Sequence, residues 1–217
     1  MQDDAAGAYG FNFVRVFVDS GDWSRSDGVN GPPNGPQALS GAYVANVADF
    51  VSTMAASGCY TMLTLTDLPA NEHFAAATGP PPAWCGYPHC GLMAPGFVTA
   101  WVAYARVLAG ALRAALPGGD TSALLAWSMV NEGYFLTSAL PFASSSLVVQ
   151  TADGRAYNMS DARSRQACAD GNMVAWAAAS AAALRSGDPG TLVTAGLFTP
   201  AAVGKVRAVH AAARAAG

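Results

Sequence analysis

Hydrophobic and polar positions follow two different periods along the first part of the chain. Residues 11–18 read FNFVRVFV, an aromatic and β-branched run that predicts a buried strand with one internal charge, Arg15. After Ser40, a residue type that caps helices, apolar side chains recur at helical spacing as far as Ser57-Gly58 and predict a helix. The run CYTMLTLTDL follows directly and predicts a second strand.

The same alternation continues to the end of the sequence. A long helix is predicted from Phe97 to Leu116, and the third strand, SALLAWSMV, ends at Asn131-Glu132-Gly133. The remaining predicted elements are a hairpin turning at Asp153-Gly154, a helix from about Ser160 to Arg185 with Gly171 as a candidate break, a fourth strand TLVTAGL, and a last helix from Pro200 to Ala216.

This order of elements predicts the α/β class, with a parallel sheet covered by helices. Two architectures fit such an order, an open doubly wound sheet and a barrel. The long Gly/Pro-rich segments all follow the carboxyl ends of strands, whereas the turns from helix to strand are short. That asymmetry is typical of (β/α)8 barrels, whose active sites lie on the loops after the strands. We therefore interpret residues 1–217 as a single, incomplete (β/α)8 TIM-barrel domain of roughly four βα units.

Composition narrows the classes of partner. The chain is 52% hydrophobic and 12% charged, which separates it from disordered proteins. Its formal net charge is −3 and its basic residues are scattered singly, so nucleic acid is not an expected partner. We also expect no membrane partner, because no stretch reaches the roughly 20 apolar residues of a spanning helix. Three tryptophans, Trp101, Trp127 and Trp176, fall at core-facing positions of the predicted helices and strands, and we expect their role to be structural.

The four cysteines leave two alternatives open. Cys85 and Cys90 flank GYPH in a Pro/Gly-rich loop, where either a local disulfide or a Cys-His-Cys metal site is conceivable. The spacing matches no established zinc motif, and no metal is assigned. Cys59 and Cys168 are expected to pack as small buried side chains. The first residues form no secretory signal, but if the biological start lies upstream of Met1, secretion is favoured over a cytoplasmic location.

The third strand ends in a motif that carries chemistry. Glu132 is one of only two glutamates in the chain and falls at the strand tip, where a barrel enzyme places its acid, and Asn131 beside it can donate a hydrogen bond. The phrase AWSMVNE resembles the signature of the clan A glycoside hydrolases, especially family 5, the cellulase and mannanase type. The resemblance implies that Glu132 is the catalytic acid/base and that Asn131 contacts the sugar.

The resemblance extends over nearly the whole chain. GFNFVRVFVD is similar to the second strand of that family, which implies that Arg15 supports the catalytic carboxylates and that the four strands correspond to barrel strands 2 to 5. It further implies a retaining hydrolase of a β-linked polysaccharide such as mannan or cellulose, with an oligosaccharide or polysaccharide as partner and no cofactor. The family nucleophile is a glutamate at strand 7, and no glutamate follows Glu132 here, so this chain alone is expected to be inactive.

Further rim positions are candidates for substrate binding. They are Asp67 and Asn71 after the second strand, where the family often has His-Asn, and the aromatic residues Trp23 and Tyr134. The alternatives are structural: rim aromatics also pack loops onto barrels, Arg15 could simply hold strands together, and Glu132 could be an exposed loop carboxylate. The alternative functions are a non-catalytic carbohydrate-binding barrel remnant and a metabolic barrel that handles phosphorylated substrates.

Overall fold

The computed structural model describes residues 10–18, 39–65, 78–86 and 88–197. Strands and helices alternate in them, with a hairpin inserted before the last helix. In chain order they are β1 (Phe13–Val18), α1 (Gly41–Ala56), β2 (Tyr60–Leu65), α2 (Pro95–Ala115), β3 (Leu124–Ser128), β4 (Val148–Gln150), β5 (Ala156–Asn158), α3 (Ala162–Gly187) and β6 (Leu192–Thr194). Short 3-10 helices cover Pro88–Met93 and Pro117–Gly119. The predicted last helix lies outside the described residues.

The main sheet has four strands in the order β1-β2-β3-β6, and every neighbouring pair is parallel. The hairpin strands β4 and β5 pair antiparallel in a separate sheet, with Gly154 at the turn in the left-handed region. This order is the one that sequential βα units give, since each connection carries the chain back to start a parallel neighbour. The α/β class, the four consecutive parallel strands and the hairpin are confirmed.

The helix boundaries follow local chemistry that the sequence displays. The Ser40 hydroxyl accepts a hydrogen bond from the Tyr43 amide and so caps α1 as predicted. Asp161 caps α3 by accepting from the amides of Arg163 and Ser164. Helix α2 ends immediately before Leu116-Pro117, since proline cannot continue a helix.

The expected break at Gly171 is wrong, because α3 runs through it without interruption. A Cβ atom at this glycine would lie 3.0 Å from a carboxylate oxygen of Asp153 and 3.1 Å from the hydroxyl of Tyr157. Glycine is therefore explained by the close approach of the hairpin to the helix, and a larger side chain would push the two apart.

The main core lies between one face of the sheet and the three helices. Its largest members are fully buried: Leu63 and Leu65 from β2, Trp127 from β3, Trp101, Tyr104 and Leu112 from α2, and Trp176 and Leu184 from α3. The buried carboxylate of Asp188 accepts from the Trp127 indole at 2.9 Å and from the Thr121 hydroxyl at 3.1 Å, which fixes the end of α3 against β3. The core positions predicted for the three tryptophans are confirmed.

The opposite face of the sheet carries exposed apolar side chains. Along β1, Phe13, Arg15 and Phe17 are exposed, while Val14 and Val16 between them are half-buried and Val16 packs against the core. Tyr60 of β2 pairs in register with Phe13 and is 48% exposed, and Leu192 of β6 is 66% exposed. Parallel strands are ordinarily buried on both faces, so in the described residues this sheet is covered on one side only.

A second, smaller core supports the loop that contains two of the cysteines. Cys85 and Cys90 form a disulfide, which decides between the two alternatives that the sequence left open. Cys90 and Met93 pack there with Cys168 of α3 and with side chains of the hairpin. The buried position expected for Cys168 is confirmed. For Cys59 it is wrong: this thiol is half-buried, because it lies in the turn before β2, outside both cores.

Helix α2 corrects one expectation drawn from composition. Pro95–Ala115 is long enough and apolar enough to cross a membrane by length and composition alone. One face of this helix, which includes Trp101, Leu108 and Leu112, is buried in the main core of the structure. A core helix meets the same two criteria, so this helix is accounted for by its packing.

Candidate functional site

Arg15 reaches from the middle of β1 to the end of β3. It extends from the exposed face of the sheet, and its Nε donates to the Thr64 hydroxyl of β2 at 2.8 Å. Its Nη2 donates to the side-chain oxygen of Asn131 at 2.7 Å, and the guanidinium carbon lies 4.8 Å from the centre of the Phe17 ring. One guanidinium therefore links β1, β2 and the segment that follows β3.

The contact with Arg15 fixes the orientation of the Asn131 amide. A guanidinium has donors only, so the atom facing it must be the amide oxygen. The NH2 group of Asn131 is then turned away from the arginine, where it can donate to an incoming hydroxyl. The Arg15 guanidinium and the Asn131 amide are thus brought together, although 116 residues separate them in the sequence.

Glu132 is held by the residues on both sides of it. Asn131 is bound by Arg15, and the amide of Gly133 donates to the Gly196 carbonyl at 2.8 Å. Glu132 itself has φ of 51°, the only positive φ of a non-glycine residue in the described chain, and its side chain is exposed. Left-handed backbone costs a residue with a Cβ about 1 kcal/mol or more, and such positions cluster at functional sites.

The pairing of β3 with β6 continues past both strands and reaches the glutamate. The Gly196 amide donates to the Val130 carbonyl at 3.0 Å, and Gly133 forms an isolated parallel bridge with Leu197. A Cβ atom at Gly196 would lie 2.8 Å from the Val130 oxygen. Only glycine allows this approach, so Gly196 positions the segment that carries Glu132.

Tyr134 lies two residues beyond Glu132 and is 36% exposed. Its ring meets the ring of His89 nearly at right angles, with the ring centres 4.7 Å apart. One predicted aromatic rim residue is therefore partly exposed in the segment that follows the glutamate. The other predicted substrate-binding residues, Trp23, Asp67 and Asn71, lie outside the described residues.

Two residues of the site escaped the sequence analysis. Thr64 is a buried polar residue inside an apolar strand, and Gly196 interrupts the fourth predicted strand; both are visible signals of a special role. A third, His89, entered that analysis only as the histidine of a conceivable Cys-His-Cys metal site. Each acts on a residue distant in sequence, which periodicity does not report.

The arrangement suits acid/base chemistry on a hydroxylated ligand. An exposed carboxylate sits on a constrained backbone, next to an amide oriented as a donor, with a cationic guanidinium one residue away. Within the described part of the chain, no three His, Cys, Asp or Glu side chains are grouped to hold a metal ion.

Comparison with known proteins identifies the fold and gives no family by sequence. No protein-family model matches the chain, and no curated protein matches its sequence. Endo-glycoceramidase II from Rhodococcus sp., solved with a cellobiose-like imidazole, superposes with a TM-score of 0.54 at 18% identity. The match covers 90% of this chain and 43% of that enzyme. Its ganglioside GM3 complex superposes with a TM-score of 0.53 at 18% identity, covering 90% and 44%.

A β-1,4-D-mannanase from Cryptopygus antarcticus shows a weaker likeness, with a TM-score of 0.47, 15% identity, and coverage of 90% of this chain and 48% of that enzyme. The chain spans less than half the length of each of these enzymes. The predicted fold, part of a (β/α)8 barrel, is confirmed. The likeness to known enzymes lies in the fold of their barrels.

Proposed function

We propose that this chain contributes the acid/base side of the active site of a retaining β-glycoside hydrolase. In this mechanism the Glu132 carboxyl first protonates the glycosidic oxygen of the substrate and later, as carboxylate, removes a proton from the attacking water. The observation that carries the proposal is the hydrogen bond from Arg15 to Asn131, which assembles the Arg and Asn-Glu motifs at one end of a barrel sheet.

The second carboxylate of the mechanism has to come from elsewhere. A retaining hydrolase needs a nucleophile about 5 to 5.5 Å from the acid/base, and no glutamate follows Glu132 in this sequence. We infer that the nucleophile belongs to the part of the barrel that these 217 residues do not supply. In this proposal the single domain assigned to residues 1–217 supplies strands 2 to 5 of one catalytic barrel.

The substrate is proposed to be a β-linked glycan. The sequence resemblance favours mannan or cellulose, while the Rhodococcus structures that share the fold were solved with a cellobiose-like inhibitor and with ganglioside GM3. Tyr134 is the described rim aromatic that would stack on a sugar ring, and Asn131 the donor to its hydroxyl. The Cys85–Cys90 disulfide supports export, because disulfides persist in oxidising compartments.

The test is a comparison of Glu132→Gln with Asp49→Asn in the complete polypeptide that the gene encodes. Asp49 is an exposed carboxylate on α1 and provides a matched loss of charge away from the site. Glu132→Gln should lower kcat/KM on mannan, cellulose or a GM3-type glycolipid by about 10² to 10⁴, and azide should restore turnover of an activated aryl glycoside. An unchanged rate would rule out the acid/base role.

The same experiment separates the alternative function. A non-catalytic carbohydrate-binding barrel would bind these glycans without releasing sugar, and Glu132→Gln would change affinity alone. Hydrolysis by the unmodified polypeptide that disappears in Glu132→Gln and persists in Asp49→Asn supports the enzyme.

A further inference from the structure

The backbone around Tyr134 is fixed, so contacts of its ring decide where that ring lies. Gly133 is held by Gly196, and Phe135 packs against both cores of the structure. The ring of Phe135 also contacts Phe142, with ring centres 5.7 Å apart. Tyr134 lies between these two anchors, two residues after Glu132 in the chain, and remains partly exposed.

His89 is the described ring that faces Tyr134. Its own side chain is 7% exposed, and its ring is inclined at 83° to that of the tyrosine. Edge-to-face pairs of aromatic rings are stabilising beyond the area they bury. Most of the imidazole is therefore inside the protein, while the tyrosine ring keeps surface available to a ligand.

The position of His89 is set by the disulfide. His89 precedes Cys90 in the 3-10 helix Pro88–Met93, and Cys90 is bonded to Cys85, closing a loop of six residues. The same loop approaches the segment after Glu132 a second time, since a Cβ atom at Gly86 would lie 3.7 Å from that of Leu140. Two contacts thus join the disulfide loop to the segment that follows the glutamate.

We propose that the loop closed by Cys85–Cys90 is part of the glycan-binding site and that His89 is a positioning residue, which holds the Tyr134 ring beside Glu132 for stacking under a pyranose ring. This inference rests on the proposed glycoside hydrolase function. The apolar C–H face of a sugar packs on an aromatic ring, and a ring already held in place loses less conformational entropy when the sugar binds. The disulfide extends that restraint to the loop, because it limits how far His89 can move away.

The first test needs no ligand and uses the complete polypeptide labelled with ¹³C in its tyrosine rings. The Tyr134 resonances are identified by their loss in Tyr134→Phe. His89→Ala should shift and sharpen them, as should reduction of the disulfide or the pair Cys85→Ser and Cys90→Ser. His89→Phe should restore a restrained ring. Resonances that are indifferent to His89→Ala and to reduction overturn the inference.

The second test measures steady-state kinetics of the complete polypeptide on an oligosaccharide. His89→Ala should raise KM by about threefold to tenfold, the range expected from losing one aromatic pair, with kcat within about twofold of the unmodified protein. His89→Phe should retain the original KM. In a Tyr134→Ala background, His89→Ala should have no further effect on KM, because the ring it positions is gone.

The outcomes distinguish the two proposals. A polypeptide that neither binds nor hydrolyses glycans overturns the proposed function, and with it the ligand named for this loop. Hydrolysis that depends on Glu132 but shows independent effects of His89 and Tyr134 on KM overturns the positioning role alone.

Discussion

Replacing Glu132 with glycine should leave the protein as stable as before, or more stable, while removing the proposed acid. At φ of 51°, the Cβ of Glu132 costs about 1 to 2 kcal/mol, which glycine relieves. Glycine adds freedom to the unfolded chain worth about 0.5 to 1 kcal/mol, which acts in the other direction. The difference predicts a free energy of unfolding that is unchanged or raised by up to about 1.5 kcal/mol.

The assay is urea unfolding followed by tryptophan fluorescence, since Trp101, Trp127 and Trp176 are all buried. The control is Thr137→Gly, an exposed loop position outside the left-handed region, where the same loss of side chain should lower stability by about 0.5 to 1 kcal/mol. If Glu132→Gly destabilises the chain as much as Thr137→Gly, the backbone at Glu132 is unstrained and the reasoning fails. In the complete polypeptide the same variant should lose hydrolysis.

Three further predictions concern stability, reactivity and assembly. Asp188→Ala should lower the free energy of unfolding by about 3 kcal/mol in the same urea assay, because it leaves the buried Trp127 indole without its acceptor. A loss below about 1 kcal/mol would contradict this. Asp188→Asn should lower the free energy of unfolding less than Asp188→Ala does. Burial raises the pKa of the Cys168 thiol to about 12, so at pH 8 iodoacetamide should alkylate Cys59 far faster, as mass spectrometry would show. Because that pKa is raised in the folded state, the associated stability is present below about pH 9 and is lost as the pH rises towards 12; equal alkylation of both thiols would refute the burial argument. The isolated chain should self-associate through the exposed sheet face and its end strands, and Phe13→Lys should reduce the association measured by sedimentation; a monomeric wild-type chain would contradict it.

The sequence predicts the elements of this fold well because their signals are local. The Ser40 cap and the Pro117 stop act within one helical turn, and the apolar run of β2 needs only its own side chains to be recognised. The expected break at Gly171 failed for the opposite reason. A glycine is needed there because Tyr157 and Asp153 of the hairpin pack close to it. This packing arises only in the tertiary structure.

The residues of the candidate site likewise fall into those recognisable from local sequence and those recognisable only in the tertiary structure. Glu132 and Asn131 were predicted because they form a contiguous motif at a strand end, and Arg15 because its strand resembles one in a known family. Thr64 is 49 residues from Arg15, and its hydroxyl is recognisable as a partner only after β1 and β2 are placed side by side. The left-handed backbone of Glu132 likewise cannot be predicted from the sequence, because glycine and asparagine are the residues that usually indicate this conformation.

The hydrogen bonds of Gly196 to Val130 and Gly133 determine the shortest segment of this barrel that can hold the backbone of Glu132 as observed. A segment ending with β3 would contain the glutamate but would lack the strand that shapes its backbone. The smallest segment that holds Glu132 in its observed backbone geometry therefore runs from β1 to Leu197, four strands rather than three. Recombination or protein engineering that exchanges barrel segments should preserve that geometry only when the crossover falls after Leu197.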